Sequence, residues 1–131
     1  VGGETLDSAL RHLIDLRRRQ DGMTVHLEIC GSRDLPEQVS LSLYRIAQEA
    51  LNNISKHAHT DQAVLRLNLE HTPAYLEIED HGCGFNPEKL ATGIDHLGMP
   101  GMAERAREIG WRLDITSRPG MGTRIRVEEE V

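Results

Sequence analysis

A chain of 131 residues fits one domain and can bury a real core. Hydrophobic residues make up 38% and charged residues 27%, which places the chain among folded globular proteins rather than disordered ones. The net charge of −6 argues against a nucleic-acid-binding module, which shows a basic stripe, but leaves a polyanionic small ligand open, because backbone amides and a metal hold phosphates without a basic surface.

The chain opens Val1-Gly2-Gly3 without an initiator Met, and reads as a segment of something longer with no signal peptide. Residues 4–20 place Leu6, Ala9, Leu10, Leu13, Ile14 and Leu16 at helical spacing, and Asp21-Gly22 ends that helix. Val25, Leu27 and Ile29 alternate as a strand. Pro36 suits a first helical turn, and Val39, Leu43, Ile46, Ala47, Ala50, Leu51 and Ile54 form one apolar stripe to about His57. Ala63, Leu65, Leu67 and Leu69 alternate as a second strand; after His71-Thr72-Pro73, Leu76, Ile78 and Asp80 continue the period in a third. Residues 81–101 are glycine-rich and loop-like, with one helical turn near Pro87 to Leu90. A helix from about Pro100 to Ile109 stops at Gly110. Trp111, Leu113 and Ile115 form a fourth strand, Pro119-Gly120-Met121-Gly122 turns, and Thr123, Ile125 and Val127 form the last.

About three helices and five strands, with late hairpins, predict an α+β two-layer sandwich: a mixed, mostly antiparallel sheet with the helices on one face. Aromatics are only 3%, so the core rests on Leu, Ile, Val, Ala and Met. Cys30 and Cys83 make neither a disulfide framework nor a zinc set, and read as reduced thiols of a cytoplasmic protein. No apolar run approaches the ~18 residues of a membrane span. His59, His71, His81 and His96 lack metal-ligand spacing and read as loop or strand-end residues.

Two strand phases carry chemistry. Asp80 has the parity of Leu76 and Ile78, and Thr123 that of Ile125 and Val127, so both point to the apolar side at strand ends. A carboxylate there is costly unless hydrogen-bonded, and such a pair offers polar contacts at the bottom of a pocket. A capped strand end and a buried hydroxyl are the ordinary alternative. Glycines cluster at Asp80-x-Gly82-x-Gly84, at Gly98 and Gly101 before a helix, and at Gly120-x-Gly122-Thr123. Each is common turn chemistry by itself, but a glycine lets backbone approach a ligand, and a helix N-terminus offers unpaired N–H groups to phosphates. The segment "LYRIAQEALNNISKHA" crowds Glu49, Asn52, Asn53, Lys56 and His57 into one helix end, although Asn weakens a helix. Glu49 and Asn53 share a face; a carboxylate and an amide oxygen suit Mg²⁺, and Lys56 can meet a phosphate as a point charge. A solvated helix end would look the same in isolation.

The succession "QEALNNISKHA", "DHGCGF", "HLGMPGMAERA" and "PGMGTRIRV", from about Leu35 to Val127, resembles the catalytic ATP-binding domain of sensor histidine kinases. Within that family it is most similar to the subfamily of nitrate sensors, the sugar-phosphate sensor and the DesK thermosensor. The resemblance implies the Bergerat ATP-binding α/β sandwich shared with Hsp90, MutL and type II topoisomerases, with ATP and Mg²⁺ as cofactors. It implies that Glu49 activates or orients the acceptor histidine and that Asn53 binds Mg²⁺. Lys56 would contact phosphates and His57 sit near the nucleotide. Asp80 would accept a hydrogen bond from the adenine amino group, joined by Thr123. Gly82 and Gly84 would wall the adenine and ribose, and Gly98 and Gly101, with Met99 and Met102, would lie at the phosphates. The second glycine box departs from the family at His96, where glycine is usual; Gly93 lies three residues earlier.

The resemblance also places residues 1–22 at the end of a dimerisation-domain helix and residues 23–131 in the catalytic domain. The acceptor histidine would lie upstream, His12 being a surface helix histidine, so this segment would bind Mg·ATP without phosphorylating itself. The implied partners are its own dimerisation domain, a second copy in the full-length homodimer and a response regulator, on the cytoplasmic side of a membrane-bound sensor. No nucleic acid and no direct membrane contact are expected. Two alternatives stand beside this reading: a serine kinase of the anti-sigma-factor type on the same fold, and a degenerate docking module, which His96 invites.

Overall fold

The computed structural model describes residues 5–58, 60–84 and 99–130. In chain order these form α1 (Leu6–Asp21), β1 (Thr24–Cys30), α2 (Glu37–His57), β2 (Gln62–Asn68), β3 (Tyr75–Asp80), α3 (Met99–Glu108), β4 (Trp111–Arg118) and β5 (Gly122–Glu129). The helical turn expected near residues 87–90 lies outside the described residues.

Local chemistry sets the helix ends. Thr5 Oγ1 accepts the Ser8 N–H at 3.3 Å at the start of α1, and Gly22 closes the helix in the left-handed region at φ 70°. Pro36, at φ −54°, stands just before α2 rather than inside its first turn.

The five strands lie in the order β1-β2-β3-β5-β4. β1 and β2 run parallel because α2 crosses between them; every other pairing is antiparallel. Strand alternation divides the sheet. Leu65, Leu67, Leu76, Ile78, Ile125 and Val127 face the helices and are almost fully buried. Leu6, Leu10 and Leu13 of α1, Leu43, Ile46, Leu51 and Ile54 of α2, and Met102 and Ala106 of α3 complete one continuous core with them. The α+β sandwich with a mixed, mostly antiparallel sheet is therefore as expected. The opposite face carries an ion ladder. Arg66 reaches Glu77 at 2.9 Å and Glu79 at 3.0 Å, Arg126 reaches Glu77 at 3.2 Å, and Arg112 reaches Glu128 at 2.8 Å. Arg126 also lies 3.8 Å over the Tyr75 ring.

The acidic chain end has a partner. Arg33, in the β1–α2 connection, makes a two-pronged pair with Glu129 at 2.9 and 2.7 Å, and Glu129 also accepts the Ala74 N–H at 3.1 Å. The Arg33 guanidinium first, then the Ala74 N–H, hold the Glu129 carboxyl down from 4.5 to about 2. A depressed carboxylate stabilises the fold above its unfolded pKa and loses that stabilisation as pH falls through its folded one. Glu129→Gln should therefore cost about 1–2 kcal/mol at neutral pH, discounted because Arg33 is partly solvated. In denaturant titrations, its gap to wild type should narrow between about pH 5 and pH 2.

Candidate nucleotide site

The end of the sheet where β3 runs out carries a polar row on the helix-facing side. Asp80 pairs with Thr123 across β3 and β5, and Thr123 with Ser117 across β5 and β4. Asp80 is 3% exposed, and its Oδ1 accepts the Gly82 N–H at 2.8 Å. Burial pushes its carboxyl upward, opposed by the N–H groups of Gly82 and Thr123. Ser117 Oγ lies 2.8 Å from Thr123 Oγ1 and donates to the Gly122 carbonyl at 3.1 Å. Sequence reading missed Ser117, although the alternation of Trp111, Leu113 and Ile115 reaches it when carried one step further.

The Asp80-x-Gly82-x-Gly84 segment, the first glycine box, is stapled on both sides. The Cys83 N–H donates to the Ala58 carbonyl at 2.8 Å, and Cys83 Sγ to the His57 carbonyl at 3.2 Å. On the other side, the Gly120 N–H donates to the Cys83 carbonyl. The glycines make this packing possible. A Cβ on Gly82 would collide with the Ala58 carbonyl, and one on Gly122, held at φ 82°, with the Asp80 carbonyl. Gly84 lies against the Arg118 carbonyl in the β4–β5 turn. The box thus binds the end of α2 to the row of Asp80 and Thr123.

Glu49 and Asn53 lie half-buried one turn apart on α2, while Lys56 and His57 are exposed at its end. The His57 carbonyl contact with Cys83 brings that end against the glycine box. The adjacent Asn52 has a separate job: its Oδ1 accepts from the Arg17 guanidinium, which also pairs with Asp21 at 2.8 Å, and Ser55 donates to Asp21 at 3.2 Å. One asparagine of the pair thus ties α2 to α1. In α3, Gly101 is exposed and Met102 fully buried in the core. Met99 opens the helix, whereas Gly98, His96 and Gly93 lie outside the described residues.

Among the described residues no three His, Cys, Asp or Glu side chains gather into a metal cage. Glu49 and Asn53 supply a carboxylate and an amide oxygen one turn apart on α2, donor types that magnesium accepts alongside water and phosphate.

Residues 38–129 match the family model for histidine kinase-, DNA gyrase B- and HSP90-like ATPases. The chain is 43% identical over 97 residues to the sensor histidine kinase YhcY of Bacillus subtilis, covering 74% of this chain and 25% of that protein. It is 37% identical over 117 residues to the sensor protein VraS of Staphylococcus aureus, covering 88% and 32%, and 29% identical to the sensor histidine kinase LiaS of B. subtilis, covering 96% and 34%. It therefore spans a quarter to a third of the length of these relatives. Among solved structures, the same fold is seen in the histidine kinase domain of the blue-light activated kinase EL346 from Erythrobacter litoralis. That match has a TM-score of 0.72 and 19% identity, covering 95% of this chain and 63% of that one. The Acinetobacter baumannii histidine kinase AdeS matches with a TM-score of 0.75 and 12% identity, covering 95% and 64%. The chain belongs to the family of histidine kinase-, DNA gyrase B- and HSP90-like ATPases, as an ATP-binding catalytic domain of the sensor-histidine-kinase kind.

Proposed function

We propose that in the intact protein this domain passes the γ-phosphoryl group of ATP to a histidine of an upstream dimerisation domain, from which a response-regulator aspartate receives it. The observation that carries the reading is the buried Asp80 carboxylate, in register with Thr123 and joined through the glycine box to the end of α2. A carboxylate held there accepts hydrogen bonds, and the exocyclic amine of adenine supplies them. Gly82 and Gly84 then form the wall for adenine and ribose. Lys56 meets the phosphates, with His57 beside the nucleotide. The N-terminus of α3, where Met99 and Gly101 lie and Met102 holds that turn to the core, would receive phosphate charge on its N–H groups, with Gly98 expected to contribute beside them.

Asn53, with Glu49 one turn before it, would hold the Mg²⁺ that neutralises phosphate charge when bound. Glu49 orients or deprotonates the acceptor histidine. Catalysis on this account is mostly positioning and charge neutralisation. The wording of "QEALNNISKHA" and "HLGMPGMAERA" supports membership of the nitrate-sensor subfamily. Residues 1–22 would lead from the dimerisation domain into the catalytic domain of a homodimer, on the cytoplasmic side of a membrane-bound sensor.

Calorimetric titration with ATP tests the Asn53 role. Mg²⁺ should strengthen wild-type binding by about tenfold, the worth of one charge-assisted contact. Asn53→Ala should lose that gain while keeping Mg²⁺-free binding; an undiminished gain would contradict the assignment. In the full-length protein, acid-labile phosphohistidine is expected, and phosphoserine on a partner in its place would favour a serine kinase.

A further inference from the structure

Ser117 is 6% exposed, at the far end of the row that begins with Asp80. Among the described residues its hydroxyl, with one proton, lies close to two oxygens, the Gly122 carbonyl at 3.1 Å and Thr123 Oγ1 at 2.8 Å. A carbonyl can only accept, so the Ser117 proton goes to Gly122. The contact with Thr123 is then satisfied only if Thr123 donates its own proton to Ser117. That leaves Thr123 facing the row with lone pairs. Asp80 beside it is a carboxylate, also an acceptor, with its Oδ1 already receiving the Gly82 N–H.

Building on the adenine reading above, we infer that Ser117 is a positioning residue for nucleotide selection: by taking the Thr123 proton, it makes the floor of the base pocket acceptor-only. Such a floor suits an exocyclic amine, which carries two donors, and rejects a purine with an oxo group at the same position, which would set acceptor against acceptor. A polar site that leaves buried groups unpaired discriminates far more strongly than an apolar one. Without Ser117, the Thr123 hydroxyl is free to turn and donate, and the rejection weakens.

The test compares ATP with inosine triphosphate, its 6-oxo counterpart, by calorimetry on the wild-type chain and on Ser117→Ala, Ser117→Thr and Thr123→Val, with thermal melting alongside. Wild type should prefer ATP by about a hundredfold. Ser117→Ala should reduce that preference by about tenfold, chiefly by admitting the oxo nucleotide. Ser117→Thr, which keeps the hydroxyl, should restore it. Thr123→Val removes the hydroxyl that turns, so it should weaken ATP without admitting the oxo nucleotide, and it serves if Ser117→Ala does not fold. Equal loss of both nucleotides in Ser117→Ala would reduce Ser117 to a packing residue and overturn the inference alone. So would Thr123→Val admitting the oxo nucleotide as readily as Ser117→Ala does. A folded wild type that binds neither nucleotide, or both alike, would overturn the adenine reading and this inference with it.

Discussion

Asp80→Asn is expected to abolish measurable ATP binding, a loss of about a hundredfold or more, while leaving the fold at least as stable as wild type. The two halves of this expectation have one cause. Asp80 sits among Leu76, Ile78, Ile125 and Val127 on the buried side of the sheet, and burial raises its carboxyl pKa above the ordinary value of 3.8. A raised carboxyl binds its proton more tightly folded than unfolded, so the fold loses stability as pH rises from the ordinary value through the raised one. At neutral pH the charge is therefore a net cost, offset in part by the Gly82 and Thr123 N–H groups. The amide keeps the shape and removes that cost. It also turns an N–H₂ toward an incoming amine, so the acceptor is lost and a donor faces a donor. Melting curves and ATP titrations of the same preparation check both halves. An Asn variant that binds ATP normally would contradict the role of Asp80, and one that is much less stable would contradict the account of its charge. Function here is set against stability, as is common for polar groups buried in sites.

Gly122→Ala should be severely damaging for a single added methyl, at about 3 kcal/mol or more. Two effects add. The residue is held at φ 82°, which costs an alanine about 1 kcal/mol. Its Cβ would also strike the Asp80 carbonyl, a backbone atom within the paired β3–β5 ladder that cannot swing aside. Relief requires the strands to part where Asp80 and Thr123 are paired, so ATP binding should fall with stability. Gly110→Ala is the control: its φ of 73° is similar, but a Cβ there meets nothing within 4 Å. It should show the conformational cost alone and retain ATP binding. Equal denaturation midpoints for the two variants would mean that the close approach at Gly122 is not what its position requires.

Much of this was legible in the chain because it is encoded at short range. Period-two alternation placed Leu76, Ile78 and Asp80 on one face, and the same rule placed Thr123 with Ile125 and Val127. The sheet then set Asp80 opposite Thr123. The stripe from Val39 to Ile54 fixed α2, and Gly22 and Gly110 marked helix ends at the positions found. Long-range partners were not legible. Arg33 and Glu129 are 96 residues apart, and nothing local in the acidic chain end says that one of its glutamates is clamped. Arg17 and Asn52 are 35 apart, so the tether that Asn52 makes between α2 and α1 could not be read from the helix alone. In the sequence the glycines suggest room for a ligand, whereas Gly82 and Gly122 make room first for other backbone: the Ala58 carbonyl and the Asp80 carbonyl. Ser117 lies within reach of alternation, one step past Ile115, but a serine carries no hydrophobic signal to extend the strand to it.

The most direct test of the account is a crystal structure of this chain with a nonhydrolysable ATP analogue and Mg²⁺. The account predicts the adenine amine within about 3 Å of an Asp80 carboxylate oxygen, against Gly82 and Gly84, with the phosphates toward α3 and the end of α2. A nucleotide seated elsewhere, or with its base turned away from Asp80, would contradict it.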